Sequence, residues 1–223
     1  VESIDPDLKD SFTREVAARF ERELDANVGA RTGFVWRGER QHYLRVYMIQ
    51  PSDGFNVPIT VKDPGPDGRV GTSDDAGTLA LYNLDPQHVG LPAINQQINA
   101  PNGDTDYYTW EFALNKRSSN RWSLSASYAS TWSRAQDDAL LGNAMRNNNY
   151  AWTPNDFINT DNGRFKFRTE QIKLHGTWEA PFALRVTPQL RYQSGQPFGR
   201  TFVAATNYGS VRVLAEPMGT RKQ

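Results

Sequence analysis

Four aspartates, Asp63, Asp67, Asp74 and Asp75, fall in the glycine-broken stretch DPGPDGRVGTSDD. They are the residues whose type and spacing come nearest to a ligand set. Calcium takes carboxylate oxygens from flexible, turn-rich loops of this composition. The stretch lacks the EF-hand spacing with its closing glutamate, so a structural calcium site here would be of another kind. The plainer alternative is a solvated turn closing a surface hairpin between strand candidates at 57–61 and 78–82. No other cofactor is implied.

A catalytic constellation does not accompany the aspartates. His42, His88 and His175 stand far apart and form no H-x-x-H or H-E-x-x-H motif. The serines include no G-x-S-x-G. Glu111 and Glu179 share a strand parity, but nothing brings them together as an acid–base pair, and they read as solvated charges. The chain is therefore not expected to be an enzyme. Cysteine is absent, which excludes disulfides and thiolate metal sites. Lys+Arg and Asp+Glu balance at 25 each, so there is no electrostatic case for nucleic acid. Six tryptophans suit a membrane or a carbohydrate surface. Trp36, Trp110, Trp132 and Trp152 as stacking platforms would make a soluble, secreted β-protein that binds glycans, and this is the rival reading.

The elements that must carry these residues are strands. From 107 to 132 the sequence alternates strictly. Tyr108, Trp110, Phe112 and Leu114 share one parity, as do Trp122, Leu124, Ala126, Tyr128 and Trp132, with Ser130 breaking the run. The opposite parity is serine, threonine, asparagine and glutamate. Alternation of this kind belongs to a strand with one apolar face. Serine is a poor strand former in soluble sheets. It suits the wet interior of a membrane barrel whose outer face is an apolar band between aromatic girdles.

Two further hairpins flank this one. Residues 12–24 fit a helix by the spacing of Phe12, Val16, Phe20 and Leu24, and fit a strand by parity. The turn at 25–27 and the alternating run 28–37 favour the strand. The strand reading turns Arg14 and Arg22 toward lipid, tolerable near an interface. The third hairpin spans 172–193 around a turn at 180–183, with Pro188 as its difficulty, since proline removes a ladder donor. Between the hairpins lie long excursions at 38–106 and 134–168. The second is rich in asparagine (Asn147, Asn148, Asn149, Asn155, Asn159, Asn162) with Tyr150, Trp152 and Phe157, and reads as an exposed loop. After Ser194 the reading is turn-rich, with a short apolar run at 211–215.

About six long strands in three hairpins, joined alternately by tight turns and long loops, give the rhythm of an outer-membrane barrel. Inward charges at Glu111, Lys173, His175, Glu179, Arg185 and Arg191 would be costly in a dry core and cost little in a wet lumen. The expected fold is therefore all-β: an incomplete antiparallel transmembrane barrel over 1–223, with 38–106 and 134–168 as long extracellular loops. Membrane lipid is the first partner.

The segments FERELDANVGARTGFVWRGER, FNVPITVKDPGPDGRVGTSDDAGTLALYNLDP, WEFALNKRSSNRWSLSASYASTWSR, LRVTPQLRYQSGQPFGRTF and VRVLAEPMGTR together resemble the barrel region of TonB-dependent outer-membrane receptors of the Oar-like branch. The resemblance covers nearly the whole chain. It implies a parent barrel of roughly 22 strands with a plugged lumen, importing a scarce ligand such as a siderophore or glycan. It also implies contact with the TonB complex through an N-terminal plug region that this chain does not match. The chain is accordingly expected to be a fragment of such a receptor, in the bacterial outer membrane.

Overall fold

The computed structural model describes residues 2–91, 94–135, 152–195 and 197–220. In chain order its strands are β1 (Glu2–Ile4), β2 (Phe12–Asp25), β3 (Val28–Arg40), β4 (Tyr43–Tyr47), β5 (Val57–Lys62), β6 (Thr78–Asn83), β7 (Asn95–Asn99), β8 (Thr105–Ser119), β9 (Trp122–Ala135), β10 (Phe165–Glu179), β11 (Arg185–Val186), β12 (Gln189–Gln193), β13 (Thr201–Thr206) and β14 (Gly209–Leu214). The large sheet is an antiparallel meander, β2-β3-β8-β9-β10, with β11 and β12 end to end on the far side of β10. Among the described residues no strand joins β2 to β11 or β12, so the barrel is not closed.

Residues 12–25 form a strand, paired with β3 from Phe12↔Arg40 to Asp25↔Val28. The helical spacing loses because only the extended form pairs 12–25 along the length of β3 and sets Val16, Ala18 and Phe20 beside Trp36, Phe34 and Thr32. Pro188 divides the last strand. Lacking an N–H, it offers only its carbonyl, which accepts from Gly176 N at 3.2 Å, and the ladder resumes at Gln189.

Three tight turns gather at one end. Ala26 and Asn27 link Asp25 to its partner Val28. Asn120 and Arg121, with φ of 51° and 68°, link Ser119 to its partner Trp122. Two left-handed central residues match the twist of the flanking strands, as in a type I′ hairpin. The polar run 116–121 is thus mostly strand, with a register slip between Lys116 and Ser119. The third turn closes through Ala180 N to Leu184 O at 2.8 Å.

The other end carries every long connection: 41–104, 136–164, and the chain after β12. These bounds are narrower than the expected 38–106 and 134–168, because β3, β8, β9 and β10 run further. Three small sheets stand at this end: β1-β7-β4, with β1 parallel to β7; β5-β6; and β13-β14. The hairpin β13-β14 departs from the expected turn-rich tail. Phe202 and Ala204 face Val213 and Val211 across it, and all four are buried.

Across the large sheet the register aligns side chains in rungs. Val16, Trp36, Tyr108, Trp132 and Arg168 form one rung near the loop end. Trp122 and Trp178 face each other near the tight turns. Between these girdles lie Phe20, Thr32, Phe112, Tyr128, Ile172 and Tyr192 on one rung, and Arg22, Ala30, Leu114, Ala126, Leu174 and Leu190 on the next, with Arg22 at the β2 edge close to the 26–27 turn. Trp122 and Trp132 are ten residues apart on β9. At about 3.3 Å per residue and a tilt near 45°, that is roughly 23 Å of height, close to the apolar band of an outer-membrane barrel.

Candidate functional site

The apolar face is unpacked. Phe20 is 63% exposed, Phe112 48% and Leu190 55%, values that no soluble core would show. Trp110 and Trp122 are exposed as well, rather than packed against a second layer of the chain. The opposite face is the polar wall. Glu21, Arg31, Ala113, Ser127, Lys173 and Arg191 form one rung of it, and Arg19, Gly33, Glu111, Ala129, Gln171 and Gln193 the next. Its centre, along β9, is made of small side chains from Ser123 to Ser133, flanked by charge on β2 and β10. Such a wall is suited to contact with water.

At the loop end, three excursions close into one cap. Its core is Leu81, Phe202, Ala204, Val211 and Val213, so the β5-β6 hairpin packs on β13-β14. Asn155 docks on β6 through its side-chain amide. It accepts from Tyr82 N at 2.8 Å and donates to Tyr82 O at 2.8 Å. Asn207 repeats the device one step on, accepting from Leu84 N at 2.9 Å and donating to Leu84 O at 2.6 Å. Each amide carries the donor and acceptor of a peptide unit, so two side chains satisfy an edge that a strand would otherwise cover. Asn159 ties the same loop to β14 by donating to Leu214 O at 2.8 Å.

The four aspartates lie in the β5-β6 turn, and each has its own partners. Asp63 is buried and held by Arg200 in a two-pronged ion pair, Nη1 to Oδ1 at 2.5 Å and Nη2 to Oδ2 at 2.6 Å. Arg200 also donates to Gly65 O at 3.2 Å. The Arg200 guanidinium holds the Asp63 carboxyl below the usual carboxylate range, against the opposing effect of burial, and Arg200 is raised in return. Asp75 takes Lys62 at 2.5 Å and the Gly71 N–H at 2.9 Å. Asp74 accepts from Thr72 Oγ1 at 2.5 Å and from Asp67 N at 3.0 Å, and those bonds hold it below its ordinary range. Asp67 accepts from Arg69 N at 2.7 Å.

The turn is folded by its own N–H groups and by two basic side chains. Gly65, at φ of 67°, permits this, since a Cβ there would meet Asp74 O at 2.1 Å. The structure brings Asp67 and Asp74 together and assigns Asp63 and Asp75 to separate cations. Among the described residues no group of three or more His, Cys, Asp or Glu is placed to hold a metal ion.

His42 follows β3, His88 lies in the 3-10 turn Pro86–His88, and His175 is on β10. Trp36, Trp110 and Trp132 stand on the apolar face, which removes them as glycan platforms of a soluble sheet. Trp152 is half-buried against the cluster of Leu44, Val46 and Ala100. Asn147, Asn148, Asn149 and Tyr150 lie outside the described residues. Sequence reasoning missed Arg200 and Asn207, and read Asn155 as part of an exposed loop, whereas Thr153, Asn155 and Asp156 are buried because this stretch docks on β6. The one available signal was the alternation of Phe202 with Ala204 and of Val211 with Val213 around Asn207-Tyr208-Gly209.

No helix among the described residues is long and apolar enough to cross a membrane, so a crossing would be made by strands. A family model described as an outer membrane beta barrel domain matches residues 1–213. Comparison with curated proteins and with solved structures gives no match.

Proposed function

The chain belongs to the outer membrane beta barrel domain family, and from that premise we propose that it is part of the wall and cap of a TonB-dependent, Oar-like receptor. Its location is the bacterial outer membrane, with the apolar face against lipid. In the proposed receptor the loop end faces outside, as long loops do in barrels of this kind. The cap meets a scarce ligand there, and the polar wall passes it inward with energy delivered through TonB. Its role is binding and passage, without catalysis.

The observation that carries this reading is the single-ended placement of three loops fused by Asp63–Arg200, Asn155 and Asn207. A passive pore needs an open mouth, whereas a receptor needs a built surface above its lumen. The test is growth of cells with and without the intact gene on panels of siderophores and glycans as sole iron or carbon source. Loss of uptake of one compound on disruption, and equal loss on collapsing the inner-membrane proton gradient, is expected. Uptake that survives a protonophore would leave a passive pore instead.

A further inference from the structure

Ser130 interrupts the apolar parity of β9, and its surroundings explain why. It is fully buried and its hydroxyl accepts from Arg168 Nε at 2.9 Å. Arg168 lies on the lipid-facing side of β10, stacked over Trp132 at 4.8 Å and paired with Glu170 at 2.6 Å. Tyr128 Oη lies 3.1 Å from both. A charged cluster thus stands on the outward face at the height of the upper girdle.

Beside it the sheet opens. β12 parts from β10 at Ser194, whose N–H still donates to Glu170 O at 2.9 Å and whose hydroxyl accepts from Glu170 N at 2.9 Å. Beyond that point the two segments diverge around a cavity of about 530 Å3, bordered by Lys166, Arg168, Glu170, Tyr192, Ser194 and Met218. Lys166 and Arg168 remain 69% and 48% exposed. The cations facing this corner are Arg134, Lys166 and Arg168. The carboxylates are Asp161, at 2.6 Å from Arg134 and 3.3 Å from Lys166; Glu170; and Asp106, the cross-strand partner of Arg134, which accepts from Arg40. The border of the cavity itself carries two cations, Lys166 and Arg168, and one carboxylate, Glu170. Below the cavity the apolar band continues without a break through Tyr192, Ile172 and Leu190.

We propose that this notch holds the phosphorylated headgroup of a membrane lipid in the leaflet nearest the cap. Lys166 and Arg168 donate to the phosphate oxygens while the acyl chains lie along Tyr192, Ile172 and Leu190. Guanidinium and ammonium groups at a girdle are suited to this, since charge-assisted bonds to phosphate are strong and directional. The apolar face continuous with the notch fixes the source as a lipid rather than a free anion. The inference rests on the lipid-facing placement of that face and is independent of the import reading.

The experiment uses the full chain folded in maltoside micelles, which contain no phosphate. Native mass spectrometry measures retention of phosphatidic acid and of diacylglycerol with the same acyl chains. Phosphatidic acid is expected to bind at least about tenfold tighter, the equivalent of one charged hydrogen bond. Lys166→Ala and Arg168→Ala each remove most of that preference. Arg14→Ala, an outward cation at the opposite edge of the sheet, leaves it unchanged. Glu170→Gln frees Arg168 and tightens binding, a gain that a damaged fold cannot produce. Equal retention of the two lipids, or equal loss in the Arg14 variant, overturns the proposal. Full competition by inorganic phosphate would also overturn it, by making this a free-anion site.

Discussion

Arg200 and Asp63 lie 137 residues apart in sequence and hold the cap by a buried, two-pronged contact. Removing one partner of such a pair strands the other. Arg200→Ala is therefore expected to cost about 3 kcal/mol of cap stability, read as faster amide exchange in 57–83 and 201–214 with the large sheet unchanged. The pH dependence has a definite sign. Asp63 titrates below its ordinary value, so its contribution is complete above the unfolded carboxylate range and is lost as pH falls through the depressed value. Amide exchange in the cap should stay slow through mild acid and rise only in strong acid, and Asp63→Asn should abolish that step. Calorimetry against millimolar calcium is expected to give no saturable heat, because Arg200 and Lys62 already occupy Asp63 and Asp75. Asp63 stood out in the sequence by composition alone. Its partner did not, since nothing local to Arg200 marks it as the other half of a contact across so many residues.

Parity made the long strands legible, because one slip would turn every outward aromatic inward. What parity could not supply was the point at which each strand stops. Turn residues signal composition, whereas the stop at Ser119–Trp122 is set by two left-handed residues, one of them arginine. A left-handed arginine is strained by about 1 kcal/mol, so Arg121→Gly should raise the urea midpoint of the detergent-folded chain correspondingly. The two faces give a paired test. Phe112→Arg places a charge in the middle of the apolar band and should cost about 2–4 kcal/mol of insertion into bilayers. Ala129→Arg, on the polar wall beside Glu111, should insert like the parent. If both variants insert equally well, the assignment of faces is wrong. The cap strands were illegible for another reason: β4, β7, β13 and β14 are short, and their apolar positions point into two small separate cores rather than along a long face.

At the scale of the molecule, the described sheet has free edges along β2 and along β11 and β12, and an outward face of exposed aromatics. Both features drive self-association in water. The chain should stay monodisperse in detergent, aggregate on its removal, and migrate differently on gels before and after boiling. Solubility in plain buffer would contradict the lipid-facing assignment. The cap has a different character from the wall beneath it. Asn155 and Asn207 fasten the edge of β6 with one amide each, so the polypeptide leading to and from either residue is under no obligation to keep a given length or course. Natural variation can therefore lengthen, shorten or re-letter those approaches while the hairpin stays moored, and one wall can present many different faces to the outside world.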